Sequence, residues 1–213
     1  MNFLRSLPTK PQILILLCVF SSPLMLAERP STANGRQSSQ QSETNHAAIY
    51  TDQDSYQIYA ALLESEKHTL YVIRAEIHGY ADLTTKNLGI EGDKEFMRDW
   101  GPVMDDYAKQ NRTAKLLQRN LPLRTSYKLI PESNIFPAEH GQDWDDYYRR
   151  YPSSGGYYWF SAVGFNPTRT RAIVDMGHEC GILCGNGGPH FFEKRDGKWC
   201  EVSVRATMRV WTS

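Results

Sequence analysis

Apolar residues change period several times along this chain, and each change marks an element. Tyr56, Tyr59, Leu62 and Leu63 fall at helical spacing, with Asp54 or Ser55 able to cap, which predicts a helix over 54–66. Thr69 to Ile77, TLYVIRAEI, is β-branched and aromatic and predicts a strand closed by His78-Gly79. After a loop punctuated by Asn87, Gly89 and Gly92, the residues Phe96, Met97, Trp100, Val103, Met104 and Tyr107 recur every three or four positions. They predict a helix over 94–110 that Gly101-Pro102 should kink or split. Tyr127, Leu129 and Ile130, ahead of Pro131, read as a strand. A short helix over 143–151 follows, capped by Asp143 and ended by Pro152; its aromatic face, Trp144, Tyr147, Tyr148 and Tyr151, is expected to pack in the core.

From Tyr157 to Val204 the period drops to two. Tyr157 to Phe165 is apolar on both alternating sets, as in a central strand, and Asn166 to Arg169 supplies a turn before Thr170 to Met176 returns. His190 to Lys194 and Trp199 to Val204 are two further strands joined through Asp196-Gly197, and Met208, Val210 and Trp211 can add an edge. The fold class read from this order is α+β: an antiparallel C-terminal meander of four to five strands backed by two or three helices. Gly177 to Pro189 reads as a loop longer than a sheet connection needs, and so as the first place to look for a functional surface.

The N-terminus changes the compartment. Arg5 and Lys10 precede the apolar run Ile13 to Phe20, which resumes at Leu24-Met25-Leu26 and ends at Ala27, the pattern of a signal peptide over 1–27 with a later cut after Ala33 also open. The uninterrupted run is shorter than the roughly 20 residues of a spanning helix. Residues 28–46 hold almost no large apolar side chain and read as a disordered linker, leaving 47–213 as one α+β domain. The full chain balances 24 basic against 24 acidic residues; losing Arg5 and Lys10 leaves a net charge of −2. Basic residues are scattered among acidic ones, which argues against a nucleic-acid partner. The expected location is secreted or periplasmic, where disulfides persist.

Candidate chemistry crowds into the meander. Cys180 and Cys184 can be bridged if Gly181 starts a tight turn, whereas a straight strand would hold them too far apart; Cys200 is a second possible partner for either. His178, Cys180, Cys184 and His190 offer four zinc ligands within thirteen positions, but C-x3-C between two histidines matches no standard finger, and an oxidising compartment favours the bridge. Ser153, Ser154, Ser161, Asp175, His178, His190 and Glu193 contain the residue types of a hydrolase, without a G-x-S-x-G elbow or an H-E-x-x-H motif. Gly185 to Gly188 lacks the lysine and serine of a phosphate loop and reads as a turn. Asn111-Arg112-Thr113 fits the glycan acceptor pattern.

The runs YPSSGG, FSAVGFN, CGILCG and EKRDGKW, between Leu129 and Val202, resemble the C-terminal half of a group of uncharacterised secreted bacterial proteins, with VGFN and a later DGKW as the distinctive pair. That resemblance implies export and carries no activity. The residues therefore point to a non-enzymatic binding or interaction module for a protein or small molecule, needing no metal or other cofactor, with the loop residues His178, Glu179 and His190 as binding candidates. The alternative is a small secreted hydrolase or zinc-binding domain using His178, His190 and the Cys180–Cys184 loop. The two part on whether those groups converge on one point.

Overall fold

The computed structural model describes residues 47–77, 83, 86–138, 142–204 and 211–212. The expected signal peptide and linker lie outside the described residues, as do His78-Gly79, Met208 and Val210.

The described chain opens with strand β1 (Ala48–Tyr50) and helix α1 (Gln53–Ser65). The cap of α1 is Asp52, whose carboxylate accepts from the Ser55 N–H at 2.9 Å, rather than Asp54 or Ser55. Asp54 instead accepts from Lys194 Nζ at 2.9 Å, Arg169 Nε at 3.0 Å and Trp199 Nε1 at 3.2 Å, tying the first turn to a turn and two strands much later in the chain. The strand expected over Thr69–Ile77 divides at Ala75 into β2 (Leu70–Arg74) and β3 (Glu76–Ile77). Helix α2 (Lys94–Gln110) occupies the predicted residues and runs through Gly101-Pro102 as one element. Pro102 lies on the exposed side, where water can satisfy the carbonyl that loses its N–H partner. Strands β4 (Lys115–Leu117) and β5 (Ser126–Ile130) precede the short helices α3 (Glu132–Ile135) and α4 (Trp144–Arg150), the latter capped by Asp143 as predicted.

The remaining strands are β6 (Ser154–Phe160), β7 (Gly164–Phe165), β8 (Arg171–Gly181), β9 (Cys184–Arg195), β10 (Lys198–Val202) and β11 (Trp211–Thr212). A small sheet runs β1-β4-β3, and an eight-stranded sheet runs β10-β9-β8-β6-β2-β5, with β7 on β8 and β11 on β9. The antiparallel succession β8-β9-β10 and the four helices make this an α+β fold. The meander is one half of a mixed sheet, however, because β2 lies parallel to both β5 and β6. The long connections carrying α2 and α4 permit this, since parallel neighbours need such crossovers.

Period-two patterning divides the core between the two faces of the large sheet. Tyr71, Ile73, Tyr158, Phe160, Val174, Phe192 and Trp199 pack with Tyr56, Tyr59, Leu62 and Leu63 of α1 on one face. On the other, Ile173 and Phe191 pack under Phe96, Trp100, Val103 and Tyr107 of α2, while Val72, Tyr157 and Trp159 pack under Trp144, Tyr147 and Tyr151 of α4. The aromatic face of α4 is thus core, as its spacing predicts.

Gly177–Pro189 departs most from the sequence reading. It is not a long loop: β8 and β9 stay paired from Arg171↔Glu193 to Gly181↔Cys184, and only Ile182 and Leu183 turn the chain. Glycines that read as turn makers are strand residues, pairing Gly177 with Gly187 and Met176 with Gly188. One reason is close approach: the Trp159 indole lies against Gly177, where any side chain would overlap it. The Asp196-Gly197 turn between β9 and β10 forms as expected, with both residues at positive φ.

Candidate functional site at the clipped hairpin

The turn at Ile182-Leu183 brings Cys180 and Cys184 to a Cα separation of 5.0 Å, and they are joined by a disulfide. Four residues of straight strand would have held them about 13 Å apart, so the tight turn decides the pairing. It leaves Ile182 77% and Leu183 85% exposed, side by side at the apex. Scattered exposed aliphatics are ordinary on a protein surface; two adjacent ones on a covalently closed two-residue turn form a fixed apolar point.

The three residues leading into that apex are each held by the body of the protein. On the α1 face, His178 stacks on Tyr158 with ring centroids 4.4 Å apart and planes at 11°, and its Nε2 donates to the Gly155 carbonyl at 2.9 Å. His68, from the link between α1 and β2, closes the cluster with its ring centroid 5.9 Å from His178 and 6.1 Å from Tyr158. A side chain at Gly155 would overlap the His68 ring, so glycine is what lets the imidazole lie there. On the opposite face, the Tyr157 hydroxyl donates to Glu179 Oε2 at 2.6 Å. The Tyr148 hydroxyl of α4 donates to the Cys180 carbonyl at 2.9 Å. Gly156, at φ +123°, lets the backbone pass directly beneath the Glu179 carbonyl.

Burial dominates the electrostatics here. It pushes the His178 pKa below its ordinary 6.5, with the neighbouring His68 acting in the same direction and the Gly155 carbonyl against it. It pushes the Tyr158 hydroxyl well up, and that hydroxyl has no hydrogen-bond partner among the described residues. Burial, then the bond to Glu179, also raises the Tyr157 hydroxyl.

The other sequence candidates do not join this cluster. His190 pairs across from Val174, four register positions from His178 on β8, or about 13 Å along the strand. Its Nδ1 lies 2.6 Å from Glu201 Oε1 in a half-exposed pair, and that bond holds the Glu201 carboxyl below its usual range. Glu179 faces away from both histidines. The four residues of the zinc alternative therefore form no ligand set: both sulfurs are bonded to each other, and the histidines are far apart. Ser154 accepts no catalytic geometry either, its hydroxyl donating to the Tyr151 carbonyl at 2.8 Å. Ser161 Oγ accepts from the Asp175 N–H at 2.7 Å, a backbone tie in the core. Cys200 is a free thiol. Asn111 spans two buried carbonyls with Nδ2, those of Tyr107 and Ala162 at 2.9 Å each, so the atom a glycan would take is occupied in holding the segment between β6 and β7 to the end of α2.

Two features escaped the sequence reading. His68 sits 110 positions before His178, and no local pattern links them. A shallow cleft of about 350 Å³ lies between the start of α2 and β8–β10, lined in part by Trp100, Asp99, Arg171, Glu193 and Arg195. Its charges satisfy one another: Arg171 reaches Glu193 at 3.3 Å and Asp99 at 3.7 Å, and Arg195 reaches Glu193 at 3.1 Å. No helix among the described residues is long and apolar enough to cross a membrane. Compared with known proteins, the chain matches no family model, no curated protein and no solved structure.

Proposed function

We propose that this protein is an exported, non-enzymatic interaction module whose contact surface is the clipped apex of the β8–β9 hairpin. The observation that carries the reading is the pair Ile182 and Leu183, the most exposed large aliphatics among the described residues, on a turn closed by a disulfide. A rigid convex apolar point suits a concave apolar pocket on a partner protein, because little side-chain or loop freedom is left to lose on binding. The surroundings of the apex carry Glu179 and no lysine or arginine between His178 and Asn186, which gives no electrostatic attraction to an anionic membrane. The disulfide is compatible with an oxidising compartment, and the N-terminal pattern of Arg5, Lys10 and the apolar run supports export. The hydrolase alternative finds no such support, since His178, Glu179 and His190 point to separate places.

Burying both aliphatic side chains is worth about 3–6 kcal/mol, or roughly 10² to 10⁴ in affinity. A photo-crosslinking residue at 183, displayed to the exported and membrane fractions of the source cell, is expected to label a discrete protein. The Ile182→Ser/Leu183→Ser variant should hold that protein at least a hundredfold more weakly with an unchanged thermal midpoint. Equal retention by both forms would sink the reading, and N-terminal sequencing of the mature chain tests export through cleavage after Ala27 or Ala33.

A further inference from the structure

We propose that His68, Tyr158 and His178 form a proton-operated latch that holds the hairpin apex in its presenting geometry at neutral pH and releases it in acid. The inference rests on the apex being the contact surface and adds how that surface is regulated.

His178 is the last residue of β8 whose side chain is gripped on the α1 face before the disulfide begins two positions later. Its ring is held on three sides: Tyr158 stacks on it, His68 approaches the stacked pair, tilted, from the helix–strand link, and the Gly155 carbonyl fixes Nε2 as the protonated nitrogen. The neutral ring therefore carries its one proton on Nε2, and acid must add the second at Nδ1. The groups facing this position are few. From α1 and its link come Glu66, at the helix end, and His68; from β2 comes Tyr71, whose hydroxyl is already committed to the Leu63 and Glu66 carbonyls. From β6 comes Tyr158, with its hydroxyl unpartnered among the described residues, and from β9 the uncharged Asn186 opposite. On β8 itself, Glu179 is turned to the other face and held by Tyr157. Glu66 is solvent-exposed at the helix end, so it screens a charge on His178 weakly, while the second imidazole, His68, lies with its ring centroid 5.9 Å away.

Charging both imidazoles places two like charges about 6 Å apart beside a buried tyrosine. His68 has a way out, because it lies on a link rather than in a strand, and its departure removes the packing over Gly155 and Tyr158. The rungs Tyr158↔His178 and Tyr157↔Glu179 are the final ones joining β6 to β8, so they open first, and the apex loses its anchorage without the core unfolding.

Amide hydrogen exchange on the full chain at pH 7.5 and pH 5.0, corrected for the chemical exchange rate, tests this directly. Protection over 178–186 is expected to fall at least tenfold in acid while 171–174 stays unchanged, and His68→Gln, which removes the second charge, should keep the acid protection. Unchanged wild-type protection at pH 5.0, or a fall that persists in His68→Gln, overturns the latch. If that variant does not fold, the wild-type ring and amide resonances decide: the amides of 180–185 must shift with the midpoint of the His178 ring, and independent midpoints overturn it. Ile182→Ser/Leu183→Ser is expected to lose the partner yet retain the acid-dependent exchange, so the contact reading and the latch fail separately.

Discussion

Position 175 places a carboxyl in the middle of β8, 6% exposed, with Oδ1 lacking any hydrogen-bond partner among the described residues. Burial raises its pKa to about 6, only partly offset by the charge of His190 and the Met176 N–H. The folded state therefore prefers the protonated form. Because the unfolded pKa is near 3.8, the folded chain binds more protons between about pH 4 and 6, and stability falls as pH rises through that window. At pH 7.5 the full penalty applies, up to about 3 kcal/mol. Asp175→Asn is expected to raise the unfolding free energy measured in urea at pH 7.5 by an amount approaching that figure and to change it little at pH 4. The alternation of Thr170 to Met176 reveals that position 175 is in a strand but not that α2 covers it, because the covering helix lies some seventy positions earlier. His68 was hidden for the same reason: a contact made by two distant segments leaves no periodic trace in either.

Among the elements, the β8–β9 hairpin shows where local reading works and where it fails. Asp196-Gly197 was legible because positive φ at two successive turn residues demands such a pair. Ile182-Leu183 was not, because a turn built of two aliphatics has no such signature and is closed by the disulfide beyond it. The glycines from 185 to 188 pointed to a loop, whereas the Trp159 ring packed on Gly177 shows that at least one glycine of this ladder exists to admit a neighbour. The bridge encloses so few residues that a chain-entropy estimate gives it only about 2 kcal/mol, against nearly 5 for a hundred-residue loop. Its effect is local. Cys180→Ser/Cys184→Ser should lower global stability by about 2 kcal/mol or less in urea. The same variant should become a site of limited proteolysis at Ile182-Leu183, with the cut product staying folded; a loss of 4 kcal/mol or more would make the clip a support of the whole fold instead.

Across the whole molecule, the buried Asp175 and the partly buried His178, three positions apart on one strand, respond to protons in opposite senses. Asp175 makes stability fall with rising pH between about 4 and 6. His178, whose folded pKa is depressed below 6.5 by burial, disfavours the charged form in the fold, so the unfolded chain binds more protons there and stability rises with pH up to about 6.5. The depressed carboxyls of Asp54, Glu193 and Glu201 act lower, losing their contribution as pH falls through their folded values beneath the ordinary carboxylate range. Between pH 5 and 6.5 the wild-type profile is thus a difference of two slopes, and a flat curve there would conceal both. Removing one exposes the other. Urea midpoints at pH 5.0, 5.75 and 6.5 are expected to climb with pH in Asp175→Asn, to drop with pH in His178→Gln, and to stay level in the double variant. A climbing double variant would assign the acid response to groups outside this strand, and with it the sensitivity attributed to the hairpin base.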